Sequence, residues 1–131
     1  GMTPMRPFRH LAAAAAAAFA ALPAWAAELV MVEQPGCEWC ARWNAEIAPI
    51  YPKTAEGKHA PLRRVDLRAL PDDLQVARRV MFTPTFLVVE DGEERARLEG
   101  YPGEDFFWPL LADLLSAHTG FVDNTNATGG S

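Results

Sequence analysis

The 131-residue sequence is poor in cysteine, in positive charge and in long apolar runs. Its two cysteines are too few for a disulfide-based scaffold, and on their own they do not complete the tetrahedral ligand set of a structural zinc site. Acidic residues outnumber Lys and Arg by 17 to 12, so the chain lacks the basic surface expected of a nucleic-acid-binding protein. With 50% hydrophobic residues, a chain of this length is expected to form one compact domain.

The first 26 residues have the pattern of a secretory signal peptide. Arg6 and Arg9 precede an alanine-rich apolar segment, and the AWA motif at residues 24–26 places small residues where a signal peptidase cleaves. We therefore expect cleavage between Ala26 and Ala27 and a periplasmic mature protein. The apolar segment is shorter than the about 20 residues of a membrane span, so a retained anchor is the less favoured alternative.

The sequence divides into three predicted regions. Residues 1–26 comprise the signal peptide and Gly1, which precedes a methionine and is interpreted as a cloning scar. Residues 27–118 form the folded domain, and residues 119–131, rich in small and polar residues, are predicted to be a flexible tail. Without the leader, ten basic and 17 acidic residues remain, a net charge of −7.

Hydrophobic periodicity predicts alternating strands and helices, the pattern of an α/β domain. Pro49 and Pro52 should kink and end the first helix. Pro109 should either bend the last helix or shift its regular part to residues after Trp108. The predicted strands are residues 29–32, 61–67, 85–90 and 95–98, and the predicted helices begin at residue 37, span 71–80 and span 104–117. The last two strands flank Asp91-Gly92, which is typical of a hairpin turn.

Cys37 and Cys40 lie where a buried strand passes into a helix. Free amide groups and the helix dipole at a helix N-terminus stabilise a thiolate, so Cys37 is the predicted nucleophile. Cys40, on the apolar face, is predicted to attack the resulting mixed disulfide. A structural disulfide and half of a metal site are the alternatives. His59 and His118 are isolated in the sequence and are interpreted as solvated surface residues, so no metal site is predicted.

The CEWC motif at residues 37–40, followed by the FTPTF segment at residues 82–86 before a hairpin, resembles the thioredoxin superfamily. The resemblance covers residues 28–117. It implies the thioredoxin fold, with a central mixed sheet flanked by helices on both faces. It also implies that Pro84 is cis and lies against the redox pair, and that Thr83 offers backbone groups to a substrate strand. A trans turn proline is the alternative from residue statistics alone.

Two longer segments, EQPGCEWCARW at residues 33–43 and GYPGEDFFW at residues 100–108, are similar to small exported thioredoxin-like proteins encoded with bacterial sulfur-oxidation genes. That similarity implies a periplasmic thiol reductase that serves sulfur-oxidation proteins. We also expect a monomer with no cofactor besides the redox-active disulfide, and a membrane electron donor is one candidate for its reductant. A disulfide oxidase or isomerase, a Cu(I)-binding CxxC module and an adaptor with a permanent disulfide are the alternatives.

The sequence departs from ordinary thioredoxin around the redox pair. Met31 stands where that family has a buried acid, and Glu33, on the same face of the strand, is either its substitute or an exposed carboxylate at the strand end. Glu38 places a negative charge beside Cys37 and should oppose thiolate formation there. Trp39 is a candidate apolar contact for a substrate. Glu33 and Glu38 are thus possible modulators of the redox chemistry.

Overall fold

The computed structural model describes residues 27–122. Its elements in chain order are β1 (Ala27–Glu33), α1 (Glu38–Glu46), a 3₁₀ turn (Tyr51–Lys53), α2 (Ala55–His59), β2 (Leu62–Asp66), β3 (Thr85–Glu90), β4 (Glu93–Glu99) and α3 (Glu104–His118). The predicted signal peptide lies outside the described residues. Within residues 27–122 no helix is both long and apolar enough to cross a bilayer.

Four strands form one mixed sheet in the order β2-β1-β3-β4. Strand β2 is parallel to β1, whereas β3 is antiparallel to both β1 and β4. The Asp91-Gly92 turn joins β3 to β4, and both turn residues have positive φ, as a tight hairpin turn requires. The predicted α/β class with a mixed sheet is confirmed.

Strand β1 lies at the centre of the sheet and has no polar alternation because both of its faces are buried. Leu29 and Met31 contribute to the core on one face, and Val30 and Val32 contribute to the core on the other. The helices pack on the first face. There the ring of Trp43 from α1 lies 5.1 Å from that of Phe86 and 5.9 Å from that of Phe107 of α3, measured between centroids.

The second face of the sheet is covered by an irregular segment, so the predicted helix at residues 71–80 is wrong. Among residues 27–122, the core on this face contains strand and loop side chains and none from a helix. Leu74 and Val80 are buried there. The backbone of Gln75 instead bonds to the hairpin, because its N–H donates to the Gly92 carbonyl and its carbonyl accepts from Glu94 N–H. Tertiary hydrogen bonds therefore replace helical ones in this segment. Contrary to the prediction, helices do not flank both faces of the described sheet.

Pro49 does not act as predicted, and Pro109 does not shift the start of the last helix. Helix α1 ends at Glu46, so Pro49 follows the helix and does not kink it. Pro109 lies inside α3, which nevertheless begins at Glu104. Pro109 is the sixth residue of α3 and lacks an N–H, so it removes the one helical hydrogen bond that would reach the Asp105 carbonyl, and the helix continues past it to His118.

The folded region continues beyond residue 118, which corrects the start of the predicted tail. Phe121 is buried and its ring centroid lies 5.2 Å from that of His59. The Thr119 hydroxyl is 2.9 Å from Nε2 of His59. His59 is therefore half-buried and partnered, contrary to the prediction, whereas His118 is exposed as expected. Residues 123–131 lie outside the described part of the chain.

Candidate redox-active site

Cys37 and Cys40 form a disulfide at the start of α1, with their Cα atoms 5.2 Å apart. Cys37 caps the helix, because its Sγ accepts a hydrogen bond of 3.1 Å from the Cys40 backbone N–H. Cys40 is only 3% exposed and belongs to the core, whereas Cys37 is half-buried. An attacking partner can therefore reach the Cys37 sulfur more readily than the Cys40 sulfur.

The turn between β1 and α1 places the cysteines at the end of the central strand. Gly36 has a φ of 80°, in the left-handed region that glycine adopts without a steric penalty. The chain then enters α1 with Glu38, whose carboxylate is the acidic group of the first helical turn. Glu38 is exposed, so its charge near Cys37 is screened by solvent.

A second loop, residues 81–84, lies against the cysteine-bearing turn. The Thr83–Pro84 peptide bond is cis, and Pro84 is buried. Two hydrogen bonds fix the end of this loop: Thr85 Oγ1 donates to the Phe82 carbonyl at 2.7 Å, and Gly100 N–H donates to the Pro84 carbonyl at 2.8 Å.

Gln34 connects the two loops directly. Its side-chain Nε2 donates to Thr83 Oγ1 at 3.0 Å, so the turn that leads into Cys37 is held against the loop with the cis peptide. Gln34 is not among the residues predicted from the sequence. Gln34 and Thr83 are 49 positions apart, and neither residue type in its local context signals the contact.

Large apolar side chains are exposed on both segments of the site. Trp39, between the cysteines, is 50% exposed, and the Arg42 guanidinium lies over its ring, 5.0 Å from the centroid. Met81 and Phe82, which precede Thr83, are 62% and 54% exposed. Exposed apolar groups around a reactive centre commonly mark a surface that contacts another molecule.

Glu33 is held in a polar cluster at the end of β1. Arg64 donates to Glu33 Oε2 at 3.0 Å and to Asn44 Oδ1 at 2.7 Å, and Asn44 Nδ2 donates to Glu33 Oε1 at 3.3 Å. Arg64 also lies 3.5 Å from the sulfur of Met31, which is fully buried. The two oxygens of the Glu33 carboxylate therefore accept hydrogen bonds from Arg64 and Asn44. No acid stands at position 31, which is Met.

A further hydrogen bond ties α1 to the loop before α3. Tyr101 donates its hydroxyl to Glu46 Oε1 at 2.5 Å, and Glu46 lies 3.6 Å from Arg42. Burial, together with the hydrogen bond and charge of Glu46, raises the pKa of Tyr101, so the phenol stays protonated and acts as a donor. This contact fixes the exposed side of the helix that carries the cysteines.

Metal coordination finds no support in the described residues. Between residues 27 and 122 no group of three or more His, Cys, Asp or Glu side chains is positioned to hold an ion.

A comparison with solved structures finds a close similarity. The chain is 58% identical to the periplasmic thioredoxin SoxS from Paracoccus pantotrophus, whose crystal structure was determined in the reduced form. The match covers 69% of this chain and 96% of SoxS, with a TM-score of 0.67. No family model matches the chain, and no curated protein matches it. Because nearly the whole of SoxS is covered, the similarity extends over the folded domain and beyond the CxxC motif.

Proposed function

Since this chain belongs to the thioredoxin family, as its CEWC and cis-proline segments predicted, we propose that it performs thiol–disulfide exchange with protein substrates in the periplasm. The observation that carries the proposal is the Cys37–Cys40 disulfide, with one sulfur accessible at a helix start and the other in the core. The similarity to a periplasmic thioredoxin supports the location.

In the reducing direction, the proposed cycle starts from the dithiol. The Cys37 thiolate attacks one sulfur of a partner disulfide, which forms a mixed disulfide and releases the partner's other sulfur as a thiolate. Cys40, after losing its proton, attacks the Cys37 sulfur and releases the second partner thiolate. The partner gains two electrons and two protons, and the chain is left with the disulfide described above. A dithiol donor, such as a membrane electron carrier, must then reduce it.

The neighbouring residues have proposed roles in binding. The backbone of Thr83, beside Pro84, would pair with an extended segment of the partner, since a free backbone next to a reactive disulfide can bind a strand without regard to its side chains. Trp39 would contact apolar groups of the partner. Glu38 would moderate the acidity of Cys37. Glu33 is proposed to act through its contacts with Arg64 and Asn44.

The proposed direction is reduction, and the substrates are proposed to be periplasmic proteins of a sulfur-oxidation system. The similarity to SoxS supports this assignment. The acidic surface favours partners that are neutral or basic. The protein is proposed to act as a monomer and without a cofactor.

Trapping tests the proposal. A Cys40→Ser variant should accumulate mixed disulfides through Cys37, because the resolving thiol is missing. Periplasmic proteins captured by the reduced variant would identify substrates that the chain reduces. The matched control is Cys37→Ser, which keeps one thiol but should capture little, because the Cys40 sulfur is buried. Equal capture by both variants, or none by either, would contradict the proposal.

A further inference from the structure

A buried ion pair lies on the face of the sheet that has no helix. Arg97 and Glu94 of β4 have side chains only 4% and 2% exposed. Arg97 Nε donates to Glu94 Oε2 at 2.6 Å, and Arg97 Nη2 donates to Glu94 Oε1 at 2.7 Å. Such a two-point contact between guanidinium and carboxylate fixes the orientation of both groups.

Both members of this pair also form hydrogen bonds to the backbone of the irregular segment, and Arg97 Nη1 has a longer contact of 3.5 Å with Glu99 Oε2. Arg97 Nη2 donates to the Arg78 carbonyl at 2.8 Å, and Nη1 reaches the Arg79 carbonyl at 3.3 Å. Glu94 Oε1 accepts the Ala77 backbone N–H at 2.8 Å. One ion pair therefore anchors three successive residues that no helix or strand holds. Ala77, Arg78 and Arg79 are themselves exposed, so their backbone is held by these hydrogen bonds to the buried ion pair and not by burial of the segment.

The anchored residues lead directly into the substrate-binding loop. After Arg79 the chain buries Val80, exposes Met81 and Phe82, and reaches the cis Thr83–Pro84 bond. Only three residues separate the last anchored carbonyl from Thr83. The loop is thus fixed on its C-terminal side by β3 and on its N-terminal side by the ion pair.

From this geometry we propose that Arg97 and Glu94 are positioning residues for substrate binding: the pair sets the place of Met81, Phe82 and Thr83 beside the redox disulfide. The proposal rests on the exchange function proposed above. Neither residue touches a reacting sulfur atom, so both act through the loop. Their loss should weaken the binding of protein substrates and leave the chemistry of the cysteine pair unchanged.

The charge state required by the proposal is maintained at neutral pH. Burial alone would raise the pKa of Glu94, but hydrogen bonds from Arg97 and the Ala77 amide, with the nearby positive charges, outweigh burial and lower it. Glu94 is therefore ionised. A lysine at position 97 would keep the charge but has no planar fork, so it cannot serve the carboxylate and two carbonyls together.

The test compares Arg97→Lys and Glu94→Gln with wild type. We expect the KM for reduction of insulin by the dithiol form to rise about five- to tenfold, as expected for the loss of one to two hydrogen bonds that order a binding loop. The rate with a small disulfide such as hydroxyethyl disulfide, and the reduction potential, should remain unchanged because they depend on the cysteine pair alone.

The same strand provides matched control substitutions. Arg95 and Glu93 also form an ion pair, 3.5 Å apart, but their side chains are 42% and 54% exposed. Arg95→Lys and Glu93→Gln should leave both assays at wild-type values. Hydrogen exchange of the Ala77 amide should accelerate in Glu94→Gln and not in Glu93→Gln, which tests the anchoring even if Arg97→Lys fails to fold.

The outcomes separate the two proposals. Wild-type protein that reduces neither insulin nor the small disulfide would contradict the exchange function. Active wild type together with an unchanged KM in the folded Arg97→Lys and Glu94→Gln variants would overturn the positioning role. Equal losses with insulin and with the small disulfide would also overturn it, since that result would indicate general damage to the redox site.

Discussion

Gln34 illustrates, at the scale of single residues, how the site depends on a side chain outside the CxxC motif. Its amide bonds to Thr83, and it stands three positions before Cys37. The hydrogen bond thus joins the segment that carries the nucleophile to the segment proposed to bind substrate. Because it is only partly buried, its contribution is expected to lie near 1 kcal/mol, the usual value for a neutral pair.

Removing that amide should weaken exchange. For Gln34→Ala we expect kcat/KM with insulin to fall about two- to tenfold, because the two loops lose their direct polar contact. The matched control is Gln75→Ala. Gln75 is exposed and its described hydrogen bonds all involve its backbone, so this substitution should change little. Equal activities of the two variants would show that the contact does not affect the site.

The residues that could be predicted at this scale belong to local patterns. The CxxC pair was predicted from its place between a strand and a helix, whereas Thr83 and Pro84 were predicted through the resemblance to the thioredoxin superfamily. Gln34, Arg64 and Arg97 could not be predicted, because each acts through partners that are far away in the sequence. Arginine and glutamine are also common on surfaces, so their residue type gives no signal.

At the scale of elements, helix α2 is short and depends on a close approach of two backbone segments. A Cβ at Gly57 would lie 1.8 Å from the carbonyl oxygen of Tyr51, in the 3₁₀ turn. That oxygen also accepts hydrogen bonds from the N–H and the hydroxyl of Thr54. Glycine is required here for space, since α2 itself would gain from alanine.

The Gly57→Ala variant therefore shows which effect is larger, the steric clash with Tyr51 or the gain in helix propensity. Propensity alone predicts a gain of about 1 kcal/mol in the free energy of unfolding, whereas the clash predicts a loss of about 3 kcal/mol. We expect the free energy of unfolding to fall, as measured by urea denaturation. Gly120→Ala is the control, because no atom lies within 4 Å of its Cβ position. A stabilised Gly57→Ala variant would show that the turn shifts freely.

Helices and strands were predictable where the spacing of apolar residues along the sequence determines the local structure. The strands and the last helix agree with their predicted bounds to within a few residues, because the spacing of apolar residues indicates whether one face or both faces of an element are buried. The segment at residues 71–80 has acceptable helical periodicity, yet it is irregular. Its backbone is held by Arg97 and Glu94 and by the hairpin, and no local pattern encodes those distant partners.

At the scale of the whole molecule, the folded domain ends later than composition predicts. Phe121 closes the core next to His59, and Thr119 bonds to the same imidazole. These two residues tie the end of α3 to α2. A lone aromatic residue in a stretch of small and polar ones gave too little hydrophobic signal to be assigned to the core.

Two truncations locate the boundary. A chain that ends at His118 should lose about 2 kcal/mol of unfolding free energy, since it gives up the burial of one aromatic side chain. A chain that ends at Val122 keeps Thr119 and Phe121 and should match the full chain. Thermal and urea unfolding of both provide the measurement. Equal stability of the two truncated chains would place the boundary at residue 118.

The order of the strands, β2-β1-β3-β4, makes β2 and β4 the outer strands of the described sheet, and β4 is paired at its first residues with the backbone of Gln75. Strand β2 carries Arg63 and Arg64, which pair with Asp73 and Glu33, and β4 carries the exposed Arg95. A strand of another molecule that added to either edge would have to displace these charges or lie against them. Such charges oppose edge-to-edge association of two sheets, which would leave the loop beside the disulfide as the place proposed for pairing with a partner's extended segment.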